Sequence, residues 1–208
     1  MYAIKEIYYT IQGEGFHTGR AAVFCRFSGC NLWNGLEKDR HKAICKFCDT
    51  EFFGTDGING GKYSAEELVS KILTTWEGLP EDCFVVFTGG EPALQMDDEL
   101  IKELKHKNIE IAIETNGTIL LPEGIDWICV SPKANTTIEQ TSGHELKLVY
   151  PQAGLSPEMF NDMDFDHFYL QPLYDANIEV HTVQTINYCR ENPKWKLSLQ
   201  THKILGIP

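Results

Sequence analysis

The recurrence of short apolar segments is the feature that most constrains how this chain can fold. Eight such segments, rich in β-branched and aromatic residues, lie at residues 3–11, 21–27, 83–87, 109–114, 127–130, 145–150, 167–170 and 195–199. Their length and composition are typical of buried β-strands. Because helical patterns separate several of them, they predict parallel strands in a sheet rather than a helical bundle.

Three helices are predicted between these strands. Ser64-Ala65-Glu66-Glu67 is a capping box that opens a helix running to about Trp76, and residues 96–106 and 178–190 also show helical spacing. The connections at 115–126 and 131–144 are too short or too polar for a helix. The pattern predicts an α/β fold, an incomplete α/β barrel with fewer helices than strands, because 208 residues are too few for eight full units. No linker or repeat interrupts the chain, so we expect one domain over residues 1–208.

Charge and hydropathy restrict the class of ligand. The net charge is -12, with 30 acidic and 18 basic residues, which disfavours nucleic acid and anionic membrane surfaces as partners. The N-terminus lacks a signal-peptide pattern, and no apolar stretch approaches the roughly 20 residues of a bilayer span. We therefore expect a cytoplasmic protein that acts on a small molecule.

Polar or glycine-containing clusters follow five of the predicted strands. They begin with Cys30 and continue with Thr88-Gly89-Gly90-Glu91-Pro92, Glu114-Thr115-Asn116-Gly117, Ser131-Pro132-Lys133 and Gln171-Pro172. The carboxyl ends of parallel strands meet at one edge of a sheet, where α/β folds bind their ligands. The clusters therefore predict one shared binding site.

Cys30, Cys45 and Cys48 form a C-x14-C-x2-C array in a chain with seven cysteines. The spacing is not that of a secreted disulfide framework. Three thiolates can hold a metal centre and leave one coordination position for a further ligand. From the cysteines alone, a zinc site completed by Cys25 or His41 and an iron–sulfur cluster are equally good interpretations.

The turn Thr88-Gly89-Gly90-Glu91-Pro92 favours the iron–sulfur interpretation. Its glycines let the backbone approach a ligand closely, and exposed backbone groups can bind a zwitterion. With the cysteine array, this turn makes the chain resemble the radical S-adenosylmethionine (SAM) superfamily, in which three cysteines hold a [4Fe-4S] cluster and SAM chelates the fourth iron. The usual spacing there is C-x3-C-x2-C, so the segment 31–44 is interpreted as an insertion in the cluster-binding loop.

The long first spacing is similar to that of the 7-carboxy-7-deazaguanine synthases of the queuosine pathway, a family within this superfamily. Further motifs carry the same resemblance from end to end. They are Ile11-Gln12-Gly13-Glu14-Gly15, Phe24-Cys25-Arg26-Phe27, Cys30-Asn31-Leu32-Trp33, Cys45-Lys46-Phe47-Cys48-Asp49-Thr50 and the tail Thr201-His202-Lys203 to Ile207-Pro208.

The resemblance implies a carbon–nitrogen lyase that contracts 6-carboxy-5,6,7,8-tetrahydropterin to 7-carboxy-7-deazaguanine and releases ammonia. SAM would be used catalytically, and its 5′-deoxyadenosyl radical would abstract the hydrogen at C6 of the substrate. The resemblance also implies Mg²⁺ as a further cofactor, an external electron donor of the flavodoxin or ferredoxin type, and a homodimer.

The resemblance assigns roles to individual residues. Thr50 would bind Mg²⁺, a hard ion that prefers oxygen ligands. The residues that would contact SAM are Phe47, Gly89, Gly90, Glu91, Glu114, Asn116, Ser131, Pro132, Lys133, Gln171, Pro172, Leu173 and Tyr174. Those that would contact the substrate are Ile11, Gln12, Gly13, Glu14, Arg26, Thr88, His202 and Pro208. Arg26 suits a bidentate contact with the substrate carboxylate.

Other interpretations remain open for several of these residues. Glu114 and Asn116 could equally form a turn, Thr50 could be a turn or cap residue, and Arg26 could form a surface salt bridge. A radical SAM activase acting on a protein glycyl site would share the cluster and SAM residues. A non-enzymatic zinc-binding interaction module would share only the cysteines.

Overall fold

The computed structural model describes residues 1–208 and contains one nine-stranded sheet with four α-helices. The strands are β1 (Tyr2–Ile11), β2 (Ala21–Phe27), β3 (Gly61–Tyr63), β4 (Phe84–Gly89), β5 (Glu110–Thr115), β6 (Trp127–Val130), β7 (Ser142–Tyr150), β8 (Asp164–Pro172) and β9 (Trp195–Leu197). The helices are α1 (Ala65–Thr75), α2 (Asp98–His106), α3 (Ile178–Glu191) and α4 (Thr201–Leu205).

The sheet is open. Its strand order is β3-β1-β2-β4-β5-β6-β7-β8-β9, with β1 antiparallel to β2 and β3 and all the other neighbours parallel. The edge strands β3 and β9 do not pair with each other, so the barrel is incomplete, as predicted. All eight predicted strands and all three predicted helices are present, and the connections 115–126 and 131–144 contain no helix.

The sequence does not predict the two short elements β3 and α4. β3 has three residues and pairs only with β1, where Tyr63 lies opposite Tyr2. α4 has five residues and begins beside the loop that follows β1. Elements this short are unstable in isolation and form because of tertiary contacts, which no local pattern encodes.

Alternate strand residues form an outer face that packs against the helices. Val23, Phe27, Val85 and Phe87 join α1 and α2 in one core of 20 buried residues. A second core, which includes Leu146, lies beneath α3. Burying each such side chain contributes about 1.5–3 kcal/mol, so the outer face supplies most of the apolar stabilisation.

The helices on the outer face begin at the predicted position or within two residues of it. The Ser64 hydroxyl accepts a hydrogen bond from the Glu67 N–H, and the Glu67 carboxylate accepts one from the Ser64 N–H. Asp97 caps the N-terminus of α2, and its carboxylate accepts from the Leu100 N–H at 3.0 Å. The longest helix, α3, has 14 residues, and no helix combines the length and hydropathy that crossing a bilayer requires.

The intervening strand residues form an inner face, which is polar towards the carboxyl ends of the parallel strands. At the other end, an aromatic stack closes the inner face. The ring of Phe16 lies 4.5 Å from that of His167 and 4.7 Å from that of Trp127, which lies 5.0 Å from that of His144. Because this end is filled by rings, a ligand can occupy only the polar end.

Candidate active site

A cavity of about 570 Å³ lies on the inner face and is the size of a cofactor site. Its walls are the sheet, the loop from Cys30 to Phe52 and the C-terminal segment from Gln200 to Pro208. Each of the five strand-end clusters predicted above contributes to it. The structure thus brings them into one site.

Two glycines allow the turn after β4 to approach the first cysteine. A Cβ atom at Gly90 would lie 2.1 Å from the carbonyl oxygen of Gly29 and 2.8 Å from the Cβ of Cys30. Gly89 has φ +143°, and a Cβ there would lie 2.3 Å from the Phe27 carbonyl oxygen. A side chain at either position would force the turn away from Cys30.

The N–H groups of this turn are already used inside the protein. The Gly90 N–H donates to the Phe27 carbonyl at 3.2 Å, and the Glu91 N–H donates to the Gly29 carbonyl at 2.9 Å. The turn can therefore present carbonyl oxygens to a ligand more readily than N–H donors. Carbonyl oxygens suit a ligand ammonium group.

Arg40, which sequence reasoning missed, organises the two later cysteines. Its Nη1 donates to the carbonyl oxygens of Lys46 and Cys48, each at 3.1 Å, and its guanidinium lies 4.0 Å from the centre of the Trp33 ring. Glu37 pairs with it at 2.7 Å. The insertion 31–44 thus supplies a cation that fixes the backbone around Cys48.

The thiols of Cys30, Cys45 and Cys48 all line the cavity. Burial raises the pKa of the Cys30 and Cys45 thiols, and the Lys133 ammonium opposes this at Cys45. No three His, Cys, Asp or Glu side chains are grouped so that they could hold a single metal ion. A [4Fe-4S] cluster needs a wider set than zinc does, because each cysteine binds a different iron.

The two residues considered as a fourth zinc ligand lie elsewhere. Cys25 is fully buried in the apolar core of the outer face, and burial raises the pKa of its thiol. His41 is exposed on the 3-10 helix Glu37–Lys42. Neither residue lines the cavity, so the donor set fits a three-cysteine cluster with an open position and does not fit a four-ligand zinc site.

Two of the predicted site residues do not line the cavity. Pro132 is buried behind it, and Glu91 is fully buried. The Glu91 carboxylate accepts hydrogen bonds from the Thr115 hydroxyl at 2.7 Å, the Asn116 N–H at 2.7 Å and the Ala93 N–H at 2.9 Å. Its predicted contact with SAM is therefore corrected: Glu91 ties the turn after β4 to the end of β5.

The remaining predicted residues all line the cavity. They are Ile11, Gln12, Gly13, Glu14, Arg26, Cys30, Cys45, Phe47, Cys48, Thr50, Thr88, Gly89, Gly90, Glu114, Asn116, Ser131, Lys133, Gln171, Pro172, Leu173, Tyr174, His202 and Pro208. The cavity establishes that these residues are neighbours. Their individual ligand contacts stay predictions.

Some of these residues also make structural bonds. The Asn116 side-chain oxygen accepts from the Thr118 N–H at 2.9 Å, as the turn alternative requires. The Lys133 ammonium donates to the carbonyl and hydroxyl oxygens of Ser131 at 2.6 and 2.7 Å. Burial lowers the pKa of Lys133, and the nearby Cys45 and Cys48 oppose this.

Arg26 combines the two interpretations considered for it. Its Nε donates to the Glu6 carboxylate at 2.8 Å, and one Nη lies 3.4 Å from the Tyr8 hydroxyl. The pair is mostly buried, so it is not a surface salt bridge. No protein acceptor is bonded to Nη1 of Arg26, which leaves donor capacity for a ligand carboxylate in the cavity.

Lys147, also missed by sequence reasoning, is a buried cation on the inner face of β7. Its Nζ lies 2.7 Å from the Glu14 carboxylate and 3.3 Å from that of Glu114. The signal was present, because Glu145, Lys147 and Val149 alternate with Leu146 and Leu148 in the predicted strand. Alternation would have placed the charges on the face opposite the leucines.

The C-terminal segment closes one side of the cavity. The Thr201 N–H and hydroxyl each donate to the Gly13 carbonyl at 2.9 Å, and a Cβ atom at Gly13 would lie 2.3 Å from the His202 ring. The Lys203 ammonium pairs with Asp49 at 2.5 Å. α4 therefore joins the loop after β1 to the cysteine loop.

Comparisons with known proteins agree with this geometry. Residues 41–136 match the sequence model of the Radical SAM superfamily. The 7-carboxy-7-deazaguanine synthases of Caulobacter vibrioides and Bradyrhizobium diazoefficiens are each 56% identical to this chain, over 100% and 99% of it and 99% of their own lengths. The crystal structure of QueE from Escherichia coli superposes with a TM-score of 0.70 at 26% identity, covering 95% of this chain and 93% of that chain. The chain thus belongs to the 7-carboxy-7-deazaguanine synthase family of the radical SAM superfamily.

Proposed function

We propose that this chain is a lyase that converts 6-carboxy-5,6,7,8-tetrahydropterin to 7-carboxy-7-deazaguanine, with release of ammonia, in 7-deazapurine (queuosine) biosynthesis. Family membership at 51–56% identity over the whole chain supports it. One structural observation carries it. Three cysteines and a partly free arginine, Arg26, line the same closed-ended cavity.

The superfamily implies a [4Fe-4S] cluster and SAM as cofactors. Cys30, Cys45 and Cys48 would hold the cluster as thiolates, and the neighbouring cavity beside Gly89 and Gly90 has room for SAM. When bound, the two cofactors supply one-electron reduction and a carbon-centred radical that removes hydrogen from the substrate. The buried Lys133 ammonium favours the thiolate form of Cys45 electrostatically.

Other residues would bind and shield the SAM molecule. The carbonyl oxygens of the Gly89-Gly90 turn suit its ammonium group, since the N–H groups of Gly90 and Glu91 already donate within the protein. Phe47 and the segment Pro172-Leu173-Tyr174 would cover the adenosyl portion and exclude water. Ser131, Asn116 and Gln171 supply polar atoms on the same wall.

The substrate would lie between Arg26 and Glu114, which both line the cavity. The free Nη1 of Arg26 suits the substrate carboxylate. The amino–amide edge of a pterin donates hydrogen bonds, and Glu114 offers an acceptor on the same inner face. Thr88 lies opposite Arg26 on β4, and His202 with Pro208 borders the site from the C-terminal segment.

We propose that Thr50 holds Mg²⁺. Its hydroxyl lines the cavity two residues after Cys48 and makes no hydrogen bond within the protein. One protein oxygen is enough, because Mg²⁺ keeps several waters and takes further oxygens from substrate. The ion would neutralise charge on the substrate carboxylate together with Arg26.

Two further proposals concern partners. An external flavodoxin- or ferredoxin-type protein would supply the electron, and the chain would act as a homodimer. Both follow from the family resemblance. Light scattering on the cluster-loaded protein tests the dimer, and turnover driven by a reduced flavodoxin or ferredoxin, without chemical reductant, tests the donor.

Anaerobic turnover tests the main proposal. The reconstituted protein is incubated with 6-carboxytetrahydropterin, SAM, reductant and Mg²⁺, and the product is followed by mass spectrometry. We expect 7-carboxy-7-deazaguanine with many turnovers per SAM consumed. Iron–sulfur absorption without this product would contradict the substrate assignment, and colourless protein containing zinc would contradict the cofactor assignment. A glycyl-containing peptide in place of the pterin distinguishes the activase alternative.

A further inference from the structure

A buried lysine, Lys147, has no part in the chemistry described above, yet it lies at the floor of the cavity. Its side chain is 5% exposed, and it forms ion pairs with both Glu14 and Glu114. Burying an ammonium group is costly unless it is paired and hydrogen-bonded. A cation in this position therefore indicates a requirement of the site rather than of the core.

The two carboxylates that Lys147 contacts differ in what they can still bind. Both oxygens of Glu14 are engaged by the protein: one accepts from Gln171 at 3.1 Å and from Gln200 at 2.9 Å, and the other pairs with Lys147 at 2.7 Å. Its position is fixed by three protein donors. In Glu14, unlike Glu114, neither oxygen is without a protein partner.

Glu114 has one oxygen free. Its Oε1 accepts from the Gln12 side chain at 2.9 Å and lies 3.3 Å from the Lys147 Nζ. No N–H or O–H of the protein donates to its Oε2, although Glu114 lines the cavity. The Glu114 carboxylate is thus held on one side by the protein and open to a ligand on the other.

We propose that Lys147 is a positioning residue that orients Glu114 towards the bound ligand, and that Glu14 serves as the second counter-ion of Lys147 rather than as a ligand contact. This deepens the proposed function and depends on it for the identity of the ligands. The three groups form one unit, in which Lys147 bridges a carboxylate bonded through both oxygens and a carboxylate with one free oxygen.

The charged surroundings of Lys147 support this assignment. Its other titratable neighbours are Glu145 on the same strand, Cys129 on β6 and Lys133 in the loop after β6. Burial raises the pKa of Glu145 and of Cys129, which favours their neutral forms. Burial alone would lower the pKa of Lys147, but Glu114 and Glu14 raise it well above its usual value.

The free oxygen of Glu114 can accept a hydrogen bond from an O–H or an N–H. In this cavity, that donor is either a ribose hydroxyl of SAM or the amino–amide edge of the pterin. The chemistry is the same for both ligands, so the two must be separated by measurement. Separate titrations of SAM and of 6-carboxypterin into the cluster-loaded protein do this.

A double-mutant cycle on binding tests the proposal. The variants are Lys147→Met, Glu114→Gln and the two combined, and the readout is the dissociation constant of each ligand by calorimetry. We expect each single variant to raise the dissociation constant of the same ligand roughly 10- to 100-fold, because a hydrogen bond to a charged group is lost or misdirected. Adding Lys147→Met to Glu114→Gln should weaken it by less than about 3-fold, because Lys147 acts through Glu114.

A merely structural role for Lys147 predicts a different result. Its loss would then weaken the binding of both ligands, or of neither, and its effect would add to that of Glu114→Gln. An equal effect on the two ligands or an additive cycle would each overturn the proposal. If Lys147→Met alone fails to fold, the comparison of Glu114→Gln with the double variant still decides. In the double variant, the cation and one carboxylate are removed together, so less unpaired charge is buried than in Lys147→Met alone.

Two controls complete the experiment. Lys105→Met removes a lysine that pairs with Asp126 outside the cavity, on α2, and should leave both dissociation constants unchanged. Iron–sulfur absorption confirms that each variant is loaded. Wild-type protein that binds SAM but forms no deazaguanine product would refute the proposed function, whereas wild-type turnover with an additive cycle would refute only the role of Lys147.

Discussion

The outer and inner faces of the same strands differ in the chemistry and pairing of their side chains. Outward residues such as Val85 and Phe87 are fully buried, apolar and interchangeable in chemistry. Inward residues such as Arg26, Glu114 and Lys147 are charged and paired in specific ways. The two sets alternate along the chain, so one backbone satisfies both demands. In this fold, stability and function are separated by side-chain direction rather than by sequence region.

The cysteine loop gives the sharpest test of this separation. Cys45→Ala should abolish iron–sulfur absorption and activity while leaving the cooperative unfolding of the metal-free protein intact, because the outer cores do not include Cys45. Cys83→Ala is the matched control in the outer core; it should retain the cluster and cost about 1 kcal/mol of stability. Loss of the cluster in Cys83→Ala would break the comparison.

The outer face should show the opposite behaviour. Leu104→Ala removes a fully buried side chain from the core between α2 and the sheet and should lower the free energy of unfolding by about 2–5 kcal/mol. Denaturant titration measures this, and kcat per folded, cluster-loaded molecule should stay near the wild-type value. If kcat fell as strongly as in an inner-face variant, the faces would not be separable.

Arg26 tests the inner face on the substrate side. Arg26→Gln should lower kcat/KM for 6-carboxytetrahydropterin by roughly 100-fold, because the substrate carboxylate would lose its cationic partner at a mostly buried position. SAM binding should change little. Arg20→Gln, which removes an arginine that pairs with Glu110 away from the cavity, is the control. Equal loss in both arginine variants would contradict the substrate role.

Thr50 tests a smaller contribution at the same face. Thr50→Ala should raise the Mg²⁺ concentration for half-maximal activity by roughly 10-fold, an effect typical of a weakened metal shell, with the iron–sulfur spectrum unchanged. Thr74→Ala on α1 is the control. Unchanged Mg²⁺ dependence would remove Thr50 from the magnesium site.

The inner face also predicts an effect on acid stability. Burial raises the pKa of the Glu14 carboxyl, but Lys147 and its hydrogen-bond donors bring it down from 4.5 to about 2. A lowered folded-state pKa stabilises the protein above the unfolded value, and this contribution is lost as pH falls from about 4.5 towards 2. Glu14→Gln should therefore flatten the fall in unfolding free energy over that range. Parallel wild-type and variant curves would contradict the assignment.

The sequence predicts the outer face well because its signals are local. Runs of β-branched residues, the capping box at Ser64 and the apolar spacing of α2 each need only a few neighbouring residues to be recognised. It also predicts the strand-end clusters, since parallel strands carry their carboxyl ends to one edge. The cysteines, the Gly-Gly turn and Arg26 followed from that rule and from the family resemblance.

The sequence predicts less about partners inside the cavity. Glu91 looks like a ligand contact in its motif, but three donors from the end of β5, the residue after it and the turn of Glu91 itself occupy its carboxylate. No sequence pattern singles out Arg40, yet it binds the backbone at Cys48. In both cases, the deciding groups lie far along the chain or across a loop, where no periodicity relates them.

By itself, the sequence determined the α/β class, the open barrel and the chemical type of the site. Strand patterning, chain length and a cysteine array are properties of short segments and their order. Only the tertiary structure decided which carboxylates are bonded within the protein through both oxygens and which keep one oxygen free for a ligand. That choice depends on distances between residues such as Lys147, Glu14 and Glu114, which come from three separate segments and meet only when the sheet forms. Electrostatic pairing acts through space, and a linear pattern cannot record it.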